Sequence, residues 1–96
     1  MITIDSKLQE LDRIILEDKT IILYDPAFPK KEFGPFANIE AFNNDGEKIW
    51  TVELPVFNDI YYFIKMEGEL LRANSYGYIC LINPESGKII SKTFVK

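Results

Sequence analysis

The residues that could do chemistry are few. The chain has 96 residues and no histidine, so the side chain that most often acts as general acid and base near neutral pH is missing. Carboxylates, lysines, tyrosines and one cysteine remain. Cys80 lies in an apolar run, Tyr78 to Ile82, and reads as a small buried hydrophobe. Without a histidine it has no partner for a Cys–His nucleophile. Asp12, Glu17, Asp18, Glu40, Asp45, Glu47 and Glu53 fall at turn and outward strand positions, which makes them a solvated face. No HExxH, CxxC, P-loop or GxSxG pattern occurs. Glu67-x-Glu69 and Asp45-x-Glu47 are hairpin-turn acids that lack the further oxygen ligands of a calcium loop. The expectation is a protein with no catalytic residue, no metal site and no cofactor.

A surface is the better candidate. Tyr61, Tyr62, Tyr76 and Tyr78 gather around one turn and the strands leading to it, and tyrosine is enriched where proteins grip one another. The plainer reading is that alternate members of the set are core. Phe33 and Phe36 lie in the irregular segment Asp25 to Ala37, beside Pro26, Pro29 and Pro35, and either cap the core or extend the binding surface.

These residues need elements to hold them. Ninety-six residues make one small domain with one core. A hydrophobic fraction of 47% with 27% charged residues is a globular balance, and 14% aromatics favours strands. The net charge of −4 lacks the basic surface that grips phosphate backbones, so neither nucleic acid nor membrane is expected as a partner. A basic protein partner is compatible. Met1 to Leu11 carries acids where the apolar core of a secretion signal would lie, and no apolar run reaches spanning length. The cytoplasm is the expected location.

Eight strands follow from the pattern: Asp12 to Leu16, Thr20 to Tyr24, Ile39 to Asn43, Lys48 to Leu54, Ile60 to Met66, Glu69 to Asn74, Tyr78 to Ile82 and Lys88 to Val95. Ile39 to Leu54 forms a hairpin around Asn44-Asp45-Gly46, and Ile79 to Phe94 repeats it in altered form. Ile39-Glu40-Ala41-Phe42-Asn43 lies over Ile79-Cys80-Leu81-Ile82-Asn83, Gly46 over Gly87 and Ile49 over Ile90. The Ile14–Leu23 hairpin corresponds to the Phe63–Ala73 hairpin. The halves, about 11–54 and 60–95, are two four-stranded antiparallel meanders, the pattern of propeller blades. The predicted fold is all-β, with the two meanders packed into one sandwich or barrel-like domain spanning 1–96.

Ile39-x-Ala41-Phe42-Asn43-Asn44-Asp45-Gly46-Glu47-Lys48-Ile49-Trp50 resembles the repeat of quinoprotein-like (pyrroloquinoline-quinone-type) β-propellers. The family's Asp is Asn43 here. In the second half Gly87-Lys88 is kept, and Ser91 stands where the Trp would be. The resemblance implies blade-shaped halves, with Trp50 packed between neighbouring blades. Two blades cannot close a ring around a channel, so the family's cofactor and dehydrogenase chemistry are not implied. The whole chain is also similar to small bacterial proteins of about this length, some of them read as immunity proteins for toxins.

The expected function is a non-catalytic protein-binding module, such as an immunity protein that occludes a bacterial toxin. The alternatives are a self-associating structural or accessory β module, including a homodimer through an edge strand, and a small-ligand-binding protein.

Overall fold

The computed structural model describes residues 9–25, 37–56 and 59–95. Its eight strands are β1 (Glu10–Ile15), β2 (Lys19–Tyr24), β3 (Ile39–Asn43), β4 (Lys48–Thr51), β5 (Tyr61–Glu67), β6 (Leu70–Ser75), β7 (Tyr78–Ile82) and β8 (Ile89–Phe94). They form two separate antiparallel sheets, ordered β1-β2-β3-β4 and β5-β6-β7-β8. The fold is all-β, with each predicted strand present within two residues at its start and three at its end. Phe33, Phe36 and most of the proline segment lie outside the described residues.

Turn chemistry sets each meander. Asn43 accepts the Asp45 and Glu47 amides on its side-chain oxygen, and Gly46, at φ +86°, closes the hairpin. Asn83 accepts the Glu85 amide in the same way, and Gly87 sits at φ +75°. In each sheet the register slips once on the first strand and once at the fourth. Those bulges aim Leu11, Tyr62, Ile49 and Ile90 at solvent.

The sheets pack as two layers, with the inward rows Ile21, Leu23, Ile39, Ala41 and Trp50 against Tyr61, Ile64, Leu71, Ala73, Cys80 and Ile82. Trp50 is the main anchor between layers. Its indole N–H donates to Pro84 O at 2.8 Å, and its ring lies where a Cβ on Gly87 would stand, 2.5 Å away. Asn38, fully buried, is a second tie. It donates to Tyr24 O and Tyr61 O and accepts from Tyr61 N–H, so one side chain satisfies backbone on both layers. Lys19 is a third, with its ammonium 3.0 Å from Asp18 and 3.2 Å from Glu85. Burial works against its charge, but the two carboxylates outweigh that and hold its pKa above the usual value.

Matching Asn43 to Asn83 aligns the pairings of both sheets, bulges included. Ala41↔Trp50 corresponds to Leu81↔Ser91, and Ile22↔Glu40 to Ala73↔Cys80. The first hairpin aligns as Arg13–Ile22 over Ile64–Ala73, so Ile14 matches Lys65 and Leu23 matches Asn74, two positions from the expected match at the start and one at the end.

Candidate functional site

A meander places alternate connections at opposite ends, and the ends of this molecule differ. The four tight turns share one end and carry Glu17, Asp18, Asp45, Glu47, Glu67, Glu69 and Glu85. The other end holds the β6–β7 turn, the approach to β5 and the end of β8, and it gathers aromatic side chains.

Four predicted site residues lie at this aromatic end, in three different roles. Tyr61 is corrected to a core residue. It is fully buried, and its hydroxyl donates to Glu53 O at 2.7 Å, with Cys80 Sγ 3.8 Å away. Burial first, then the neighbouring thiol, pushes its pKa well above the ordinary tyrosine value. Tyr62 is the bulged residue of β5 and Tyr76 leads the next turn. They stack with ring centroids 5.4 Å apart at 24° and are 44% and 69% exposed. Tyr78 is half-buried on the opposite face of the sheet from that stack, edge-on to Phe94 at 5.5 Å, with the Lys92 ammonium 5.0 Å above its ring.

A buried carboxylate holds the Tyr76 turn. Asp59 accepts from Ser75 Oγ at 2.8 Å, Tyr76 N at 3.2 Å and Ile60 N at 2.8 Å. Ser75 Oγ in turn receives the Tyr78 amide. These bonds fix the turn that presents Tyr76, so the stacked pair is shaped before any partner arrives.

Sequence reasoning missed Phe94, Lys92, Asp59 and Asn38. Phe94 is 65% exposed near the chain end, and its pairing with Tyr78 follows from strand register that no local pattern carries. Asp59 falls at the end of a stretch, Val56 to Asp59, that reads as a connector before the strand at Ile60, and only the tertiary structure turns Asp59 inward. Cys80 is fully buried, and burial pushes its thiol pKa up, as its apolar surroundings predict. Among the described residues no group of three His, Cys, Asp or Glu side chains could hold a metal ion. Among the described residues no helix is long and apolar enough to cross a membrane.

A groove of about 300 Å³ runs beside β8, lined by Glu53, Leu54, Pro55, Ile89, Ile90, Ser91 and Lys92. It lies between β8 and the crossover from β4. Glu53 N–H donates to Gly87 O, the Glu53 carboxylate accepts the Ile89 amide, and Lys92 Nζ donates to Pro55 O.

The model of a family described as "Domain of unknown function (DUF7957)" matches residues 2–94. The chain belongs to that family. No curated protein and no solved structure matches it.

Proposed function

We propose that this DUF7957 member is a non-catalytic protein-binding module that docks through its aromatic end. The observation that carries the reading is the exposed Tyr62–Tyr76 stack on a turn pinned by Asp59. Exposed aromatic rings that are already ordered supply contact area at little entropic cost. Tyr78 and Phe94 border the same end. Occlusion of a bacterial toxin, the immunity-protein role, is the finer form of this proposal, in a small cytoplasmic protein.

The expectation of a basic partner rests on net charge and on acidic residues near the tyrosines in the sequence. Seven acids lie at the far turns, Glu10 and Asp12 open β1 on the first sheet, and the charged side chain beside Tyr78 and Phe94 is Lys92, so the partner surface that meets the β8 side of the aromatic end is neutral or acidic. The blade-like kinship to quinoprotein-like propellers also stands as a proposal, supported by Trp50 bridging the two sheets.

The test is an affinity pull-down from source lysate, read by mass spectrometry, with wild type and a Tyr76→Ser variant. A single stoichiometric partner lost in the variant supports the reading. A partner retained by Tyr76→Ser and by Tyr62→Ser, with both variants folded, overturns it.

A further inference from the structure

We propose that the outer edge of β8 is a strand-addition site for an extended, acidic segment of the partner protein. This rests on the protein-binding reading above and adds the mode and chemistry of contact.

Among the described residues no strand pairs with that edge. The other edges are placed differently. β1 and β5 lie at the approach of the two sheets, and β4 is only four residues long and runs into the crossover. The crossover itself shows what the β8 edge accepts. Glu53 joins its beginning through one backbone bond to Gly87 O and one carboxylate bond from Ile89 N–H. Beyond Ile89 the edge continues along the groove, where Lys92 Nζ reaches Pro55 O, and among the described residues no backbone hydrogen bond of the crossover follows the one at Gly87.

Backbone alternation shows which peptide groups stay open. Val95 N–H donates to Gly77 O, while the Tyr78 amide and carbonyl are both engaged by Ser75. Tyr78 therefore points toward β6, and its partner Phe94 points away from β7, as does Lys92 two residues earlier. An added strand would find the N–H and C=O of Lys92 and Phe94, the two-residue spacing that antiparallel pairing uses. Exposed Ile90 and Phe94 supply apolar contacts at either end.

Charge selects the occupant. From Lys88 to Lys96 the chain has three lysines and no acid, although the whole chain is −4. Two such edges brought together in a homodimer would set basic strands side by side. An acidic strand is complementary, and Glu53 already places a carboxylate on this edge.

The test uses the full chain, 15N-labelled, titrated with a capped peptide of alternating Glu and Val. The same peptide N-methylated at alternate residues and a Lys-Val peptide serve as controls. The expected result is amide shifts centred on Lys92 and Phe94, with both controls binding about tenfold weaker or less. Lys88→Glu, an exposed change, should weaken the Glu-Val peptide and leave the spectrum otherwise intact. Equal binding of the N-methylated copy, shifts confined to Tyr62 and Tyr76, no shift at millimolar peptide, or a dimer joined through β8 would each overturn strand addition. In the pull-down, a partner lost by Tyr76→Ser but held equally by Lys88→Glu and Phe94→Pro would sink this inference and leave the protein-binding reading standing.

Discussion

Asn43 and Asn83 open the same turn in the two sheets, yet the strands entering those turns face opposite ways. The first sheet buries Ile39 and Ala41, and the second buries Cys80 and Ile82, which match Glu40 and Phe42 of the first. The layers are therefore stacked head to tail and are not related by a two-fold axis. A head-to-tail interface leaves one unmatched face on each side. Here both outward faces carry several polar residues where the equivalent inward position is core, beside apolar ones such as Ile22, Phe42, Ile79 and Leu81. Glu10, Arg13 and Glu40 match Tyr61, Ile64 and Cys80, while Arg72, Asn74 and Ser91 match Ile21, Leu23 and Trp50. Arg13 pairs with Glu10, Lys48 with Glu40 and Arg72 with Glu67 on these faces. The ion pairs on the outer faces are what the polar outer face of a capping repeat would carry, while the apolar residues beside them stay half-buried or exposed. This is the physical reason to look for a partner at an edge or an end of the molecule.

The largest test of that asymmetry is the Trp50 position against its counterpart. Trp50→Ala should destabilise by about 3–5 kcal/mol, while Ser91→Ala, on the open face, should stay within about 0.5 kcal/mol. Urea unfolding compares them directly, and equal effects would break the head-to-tail account. The matched glycines come next. Gly46→Ala meets no atom within 4 Å and should cost about 1–2 kcal/mol for its positive φ alone. Gly87→Ala adds a collision with the Trp50 ring and should cost roughly 3 kcal/mol. In the Trp50→Ala background that extra cost should vanish, a coupling that a double-mutant cycle reads.

Asn38 matches Tyr78 of the second sheet, and only Asn38 ties the layers by side-chain bonds to Tyr24 and Tyr61. Asn38→Leu leaves the buried Tyr61 amide unpaired and should cost about 2–3 kcal/mol. Tyr78→Leu, lacking such a role, should cost less in the same unfolding series.

The smallest expected effect is in alkali. Tyr24 is pushed up to about 12 by burial and then by Glu40, and Tyr61 is raised further, both from an ordinary 10.0. Lys19 is raised from 10.5 and Cys80 from 9.0. Each group stabilises the fold fully below its ordinary value, and that contribution is lost as pH rises through the native pKa. The urea midpoint should therefore fall progressively from about pH 9 to 12. Tyr61→Phe should flatten that fall more than Tyr24→Phe, and the reverse order would contradict the deeper burial of Tyr61.

Most of the fold was legible along the chain. Eight strands, their turns and the repeat follow from β-branched runs, from Asx residues and from glycines free to take positive φ. The candidate site was half legible. Tyr62 and Tyr76 are exposed as a binding surface requires, but their clustering along the chain placed neighbouring Tyr61 with them, where strand alternation would have separated it. The bulge at Tyr62 decides that point, since one inserted residue turns both Tyr62 and Phe63 outward while Tyr61 stays in the core. Phe94 and Asp59 entered the site through pairings with residues 16 or more positions away.

By itself the sequence determined the local structure: where strands run, where they turn, and that two similar meanders share one chain. Those are set by backbone sterics and side-chain hydrogen bonds within a few residues. Only the tertiary structure decided which face of each meander is buried. Strands such as Thr20 to Tyr24 and Ile60 to Met66 are apolar on both faces, so burial alone favours neither. The choice is made where Trp50 meets Gly87, whose missing Cβ leaves room for its ring, and where Asn38 meets the backbone of β5.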